Sequence, residues 1–211
     1  MNIIFLGAPG AGKGTQADML AKKLNIPTIS TGAIIREAVK SGTGMGAKAA
    51  EFIDRGALVP DDVVIGIVKE RLSRSDCANG WILDGFPRTV PQAAALNEMG
   101  VCIDYVISLE IPDESIVARM SGRRVCPVCG ATFHVTDNPS AAGDKCDRCN
   151  AELTTRKDDA PEVVLSRLEV YHNQSEPLKE YYGEKVIKVD VTDGSPAENF
   201  GKTVRALGLK A

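Results

Sequence analysis

The 211-residue chain reads as an α/β protein built on one open, parallel sheet. Three observations predict that class. Short β-branched or apolar runs alternate with helical patterns along the chain, as in repeated strand–helix–strand units. The runs are short and β-branched or apolar, which suits buried parallel strands. The first run ends in a glycine-rich turn that leads directly into a helix. At this length one well-buried core with inserted elaborations is expected.

In chain order, strands are expected at residues 2–6, 27–30, 81–84, 104–110 and 186–191. Helical spacing marks 15–24, 61–74, 90–98, 113–123 and 162–182, several of them opened by Asp or Pro-Asp. Strands alternating with helices imply right-handed crossovers. Two stretches break the rhythm. Residues 31–59 are short, helical and punctuated by glycine, and residues 122–159 show no sheet or helix pattern of their own. Long irregular segments of that kind are usually functional or disordered. Gly42, Gly44, Gly46 and Gly122 are candidate flexible points, and equally candidates for turns and caps.

Charge narrows the function. With 25 basic and 28 acidic residues interspersed and a net charge of −3, the chain has no field suited to nucleic acid or an anionic membrane. It has no run long and apolar enough to span a bilayer and no basic leader before an apolar stretch, so a soluble, cytoplasmic protein is expected. Of six cysteines, four form Cys126-x-x-Cys129 and Cys146-x-x-Cys149, sixteen residues apart. That is zinc-ribbon spacing, and four thiolates leave no position for substrate, so the metal is structural; two disulfides or iron are the alternatives. Cys77 and Cys102 read as packing residues.

The first turn, "GAPGAGKGT" from Gly7 to Thr15, nearly spells a phosphate-binding loop. Gly7, Gly10, Gly12 and Gly14 allow backbone N–H groups to face phosphate oxygens, and Lys13 adds charge. Gly14, however, stands where a hydroxyl usually holds Mg²⁺. The metal is then held chiefly by phosphates and water, with Asp84, at the end of its strand, as the carboxylate that reaches it. A helix cap or turn is the plain alternative for Asp84.

That loop, Ser30-Thr31-Gly32, the "GALVPDDVV" of residues 56–64, the "DGFPR" of residues 84–88 with Gln92, "GRRVCPVCG" and "LTTRKDD" together resemble the adenylate kinases of bacteria nearly end to end. The resemblance implies a P-loop nucleoside-monophosphate-kinase fold. Its core comprises residues 1–29, 60–121 and 160–211, with an AMP-binding arm at 30–59 and a zinc-binding lid at 122–159. It implies reversible, Mg-dependent phosphoryl transfer from ATP to AMP giving two ADP, and a monomer. It assigns Gly10, Ala11, Gly12, Lys13, Gly14, Thr15, Arg119, Arg123, Thr132, Phe133 and the carbonyl region near Pro196 to ATP. To AMP it assigns Thr31, Arg36, Ala57, Leu58, Val59, Gly85, Phe86, Pro87, Arg88, Gln92, Arg156 and Arg167. Ala33 departs from the aspartate usual after "STG" in similar proteins. The nearest rival is a kinase for UMP, CMP or GMP, against which Thr31 and Gln92 argue; a rival of another class is a zinc-ribbon ATPase that grips nucleic acid.

The residue types suit that chemistry. An AMP phosphate is already largely ionised near neutral pH, so no general base is needed, in keeping with two histidines, His134 and His172, that read as structural or exposed. Alignment of two polyanions and compensation of charge carry phosphoryl transfer. Guanidinium forks supply both, and Lys13, Arg88, Arg123, Arg156 and Arg167 are the expected catalytic cations. Arg71, Arg124 and Arg205 read as surface ion-pair partners. Gln92 carries both a donor and an acceptor for an adenine edge. Replacing Arg88 or Arg123 by Ala is expected to lower kcat steeply with the melting curve nearly unchanged.

Overall fold

A computed structural model describes residues 1–42 and 44–210, with the side chains of residues 44, 45 and 48 left out; Thr43, inside the expected arm, lies outside the described residues. The strands are β1 (Asn2–Gly7), β2 (Thr28–Ser30), β3 (Trp81–Asp84), β4 (Tyr105–Glu110), β5 (Arg123–Val125), β6 (Thr132–His134) and β7 (Val186–Asp190). The helices are α1 (Lys13–Leu24), α2 (Thr31–Lys40), α3 (Gly44–Asp54), α4 (Asp61–Leu72), α5 (Val90–Glu98), α6 (Asp113–Gly122), α7 (Pro161–Val170), α8 (Leu178–Tyr182) and α9 (Pro196–Ala206).

Five strands form one parallel sheet in the order β2-β3-β1-β4-β7, so all five expected strands are present. Successive side chains of a strand face opposite ways, and β1 feeds two cores. Ile4 and Leu6 join Ile29, Leu83, Phe86 and Leu96 on one face, while Ile3 and Phe5 join Leu20, Ile82, Ile107 and Leu207 on the other. Each face is closed by helices, which is why β1 and β3 read as unbroken apolar runs, while the edge strand β7 exposes Lys188 and Asp190. Chain connections diverge at the carboxyl ends of β1 and β3, the place where open α/β sheets bind ligands. The 7–15 loop and the 84–88 segment meet there.

Three elements differ from expectation. The helix foreseen at 162–182 breaks into α7, a wider π-type turn over Tyr171–Ser175, and α8. Pro177 offers no N–H, and just before it the ladder slips by one residue, with Glu176 N donating to Tyr171 O at 2.9 Å. Helix α9 was not anticipated, although its signal is present. Ser195 accepts from the Glu198 N–H while Glu198 reaches back to the Ser195 N–H, a complete capping box with Pro196 in the first turn. The 122–159 stretch has order of its own: β5 and β6 pair antiparallel, and Thr154 bridges to Val125.

That stretch buries little. Its core is Cys126, Ala131, Phe133 and Cys146, with Ala151 and Leu153 packed against them. Two of the suggested flexible glycines are packing residues instead. A Cβ on Gly122 would stand 2.3 Å from His134 Nε2, and one on Gly46 would stand 2.1 Å from the Ala38 carbonyl. Gly42 ends α2 in a left-handed turn and Gly44 opens α3.

Candidate functional site

Helix α1 begins at Lys13, two residues before the apolar spacing suggests, because Gly12 turns left-handed (φ 92°) to cap it. No side chain caps this N-terminus and no acid sits in its first turn, so its free N–H groups and the positive end of its dipole face an open cavity. The contrast with α5, capped by Thr89, and with α9 is direct. Gly14 also has a local reason. A Cβ there would lie 3.3 Å from Asp84 Oδ2, crowding the carboxylate that Ser30 Oγ–H holds at 3.1 Å. A side chain at 14 would require Asp84 to give way by a few tenths of an ångström.

Two pockets open from the loop. The larger, about 510 Å³, is within the range of small-molecule sites. Its walls contain every residue assigned above to ATP: Gly10 to Thr15, Arg119, Arg123, Thr132, Phe133 and Pro196. The Pro196 carbonyl already accepts from Gln16 Nε2 at 3.0 Å, and Arg119 Nη2 is anchored on the Val191 and Thr192 carbonyls at 2.6 and 3.1 Å. The smaller pocket is walled by Thr31, Arg36, Ala57, Leu58, Val59, Gly85, Pro87, Arg88, Gln92 and Arg167 among others. The Phe86 side chain is fully buried in the core and lines neither pocket. Arg156 lines the larger pocket and not the smaller.

The two pockets share a wall made of Lys13, Arg36, Arg88 and Arg167. So many cations in one partly enclosed place repel one another and depress one another's charge. Enclosure, opposed by Asp84 and reinforced by Arg88, Arg167 and Arg123, draws Lys13 down to about 7. Its Nζ meanwhile donates to the Gly7 and Ala8 carbonyls at 2.7 and 2.8 Å. Burial likewise lowers Arg88 and Arg36, and brings Arg156 and Arg167 to about 10.

Two acids that the sequence reading did not single out hold part of this cluster. Asp159 accepts from Arg123 Nε at 2.8 Å and from its Nη2, and Asp158 Oδ2 accepts from Arg167 Nη1 at 2.8 Å. Burial pushes Asp158 upward, and Arg167, Arg123, Arg156 and Arg36 overcome it to hold the carboxyl below its ordinary value. Their only sequence signal is adjacency in "RKDD". The adenine-reading expectation for Gln92 is also modified, since its amide is engaged within the protein. Oε1 accepts from the Arg88 N–H at 2.7 Å and Nε2 donates to Asp61 Oδ1 at 2.7 Å.

The remaining assignments divide. His172 is exposed between Asp113 and Glu176, whereas His134 Nδ1 accepts from the Thr136 and Asp137 N–H groups and its ring borders the larger pocket. Arg71 pairs with Asp76 as expected. Arg124 instead donates to the Ser121 and Arg123 carbonyls at the end of α6. Lys40 Nζ donates to the Pro127 carbonyl at 3.4 Å, so the 30–59 and 122–159 stretches touch.

The four paired cysteines converge, their Sγ atoms all within 4.8 Å of one another. None is disulfide-bonded, with Cys126–Cys149 at 3.3 Å and Cys129–Cys146 at 3.5 Å between sulfurs. N–H groups of Cys129 and Arg148 point at the Cys126 and Cys146 sulfurs, as in metal-binding knuckles. The set can hold one metal ion.

A glycine loop at an uncapped helix, between two pockets joined through a wall of cations, defines an α/β phosphate-binding protein of the phosphoryl-transfer class. Comparison with known proteins is specific. A family model described as adenylate kinase matches residues 5–187. The chain is 52% identical to an adenylate kinase of Caldicellulosiruptor bescii over the full length of both, and 56% identical to one of Lachnoclostridium phytofermentans over 86% of each. It is 52% identical to one of Desulforudis audaxviator over 98% of this chain and 97% of that protein. The chain belongs to the adenylate kinase family, phosphotransferases that interconvert ATP plus AMP with two ADP.

Proposed function

We propose that ATP occupies the larger pocket and AMP the smaller, and that their phosphates meet on the shared wall of Lys13, Arg36, Arg88 and Arg167. That shared wall carries the reading: two sites that must exchange a phosphoryl group need one common charged floor. The AMP phosphate oxygen attacks the terminal phosphorus of ATP, the bond to the bridging oxygen breaks, and ADP leaves on either side. No proton is abstracted. Arg36 and Arg156 make no hydrogen bond or ion pair with protein among the described residues, which leaves their forks for phosphate. Among the described residues the Arg88 guanidinium donates only through Nε, to the Gly85 carbonyl, which leaves its terminal nitrogens for phosphate. Arg123 and Arg167, held by Asp159 and Asp158, are kept oriented until the polyanion arrives.

Mg²⁺ fits a place bordered by Asp84 and the loop, where ATP phosphates and water complete its shell; it neutralises charge on the phosphates. Zinc fits the cysteine set: a tetrahedral ion with Zn–S of about 2.3 Å separates its sulfurs by ~3.8 Å, close to what is observed. It fixes a stretch whose own apolar core is too small to stand by itself. Residues 30–59 then serve as a mobile AMP arm and 122–159 as a lid whose closure excludes water. No described helix is long and apolar enough to cross a membrane. We assign the protein to the cytoplasm as a monomer.

The test is ADP formation from ATP and AMP with Mg²⁺, against a control lacking AMP. AMP-dependent ADP formation is expected; rapid ATP loss without AMP would overturn the reading in favour of a hydrolase.

A further inference from the structure

The Gln92 side chain is 1% exposed, yet it lines the smaller pocket. A primary amide has two N–H donors and two acceptor lone pairs, and the protein uses one of each. What fixes which end is which is the chemistry of its partners. The Arg88 backbone N–H can only donate, so it selects Oε1; the Asp61 carboxylate can only accept, so it selects Nε2. Asp61 is the first residue of α4, directly after the 30–59 stretch, and is itself held through Oδ2 by the Thr89 hydroxyl at 2.9 Å. Thr89 in turn caps α5, the helix that carries Gln92.

From this we infer that Asp61 is a specificity-determining positioning residue: with the Arg88 N–H it locks the Gln92 amide in one orientation, so that the pocket accepts an adenine edge and refuses a guanine edge. The inference rests on the smaller pocket being the AMP site. On the Watson–Crick edge adenine presents an acceptor at N1 beside a donor at N6, and guanine presents a donor at N1 beside an acceptor at O6. These are inverted patterns. An amide free to turn end over end serves either, and a locked one serves only one. Asp61 touches neither base nor phosphate and acts through Gln92.

The test compares wild type, Asp61→Asn, Gln92→Ala and the double variant in steady-state assays with AMP and with GMP. Asp61→Asn keeps the shape but offers Gln92 both a donor and an acceptor, so one of the two points of the lock is loosened without opening a cavity, and the Arg88 N–H remains as the other. The preference for AMP over GMP, as a ratio of kcat/KM, is expected to fall about threefold to tenfold, part of one base-edge discrimination, because the Arg88 N–H still favours one orientation. KM for AMP should rise, while KM for ATP and kcat at saturating AMP stay near wild type. In the Gln92→Ala background Asp61→Asn should change the ratio no further. An unchanged ratio in Asp61→Asn, or an equal change with and without Gln92, overturns the inference. If Gln92→Ala leaves the ratio untouched while ADP still forms from ATP and AMP, the placement of the base in this pocket falls and the inference with it, the overall reaction standing.

Discussion

Nucleotide binding should draw a proton onto Lys13. In the unliganded protein enclosure and three arginines bring this ammonium to about 7 against the pull of Asp84. Near pH 8 only about one-tenth of the molecules then carry the charge. Phosphate oxygens placed against Nζ return the group toward its ordinary value near ~10.4, so that it is fully protonated in the complex. The uptake is therefore about 0.9 proton at pH 8, about 0.5 at pH 7 and about 0.1 at pH 6. The sign follows from a depressed cationic pKa: above it the free protein is neutral at this site, and binding must supply the charge. Affinity falls by up to about tenfold for each unit of pH between 7 and 10. A nucleotide phosphate with a second pKa near ~6 contributes little at pH 8. Calorimetric titration with ATP at constant Mg²⁺, in buffers of different ionisation enthalpy, reads the proton count directly. Lys13→Arg keeps the charge at every pH and should abolish the uptake. A binding enthalpy independent of buffer at pH 8, or an equal uptake in Lys13→Arg, would refute the reasoning.

Arg88→Ala and Arg123→Ala should both lower kcat by several powers of ten, yet they part in stability, which corrects the expectation of unchanged melting for both. Arg88 makes no ion pair among the described residues, whereas removing Arg123 strips the buried Asp159 carboxylate of its two-point partner. That costs about 3–5 kcal/mol where no other cation remains, and less here because Arg167 stays 3.7 Å away. Equal melting temperatures for the two variants would contradict it. Chelation of the bound metal, or Cys149→Ser, should lower the melting temperature while leaving kcat at a permissive temperature near wild type; unchanged melting excludes a structural metal. His172 is raised by Glu176 and Asp113, so its contribution is complete below about 6.5 and is lost as pH rises through its folded value. His172→Gln should therefore destabilise the protein at pH 5.5 and not at pH 9, and a pH-independent difference in melting would count against it.

Local spacing was enough to reveal much of this protein. Short β-branched or apolar runs located the five strands of the parallel sheet, most plainly β1 and β3, because a strand buried on both faces must be apolar nearly throughout. Glycines and a lysine in fixed order marked the loop, and two C-x-x-C pairs marked the metal cluster, because both chemistries depend on backbone geometry within a few residues. The break before Pro177 and the Ser195–Glu198 box are local signals of the same kind.

What the sequence by itself could not decide is which side chains meet across the fold. Asp61 and Gln92 are 31 residues apart, Arg123 and Asp159 are 36 apart, and no periodicity links them. That Phe86 turns into the core while Gly85 and Pro87 border the pocket, and that two acids hold some of the arginines and leave others free, follow from packing helices onto a twisted sheet. Backbone preferences and motif chemistry act over a turn or two of chain. Orientation, burial and charge pairing depend on distances in space, and only the tertiary structure sets those.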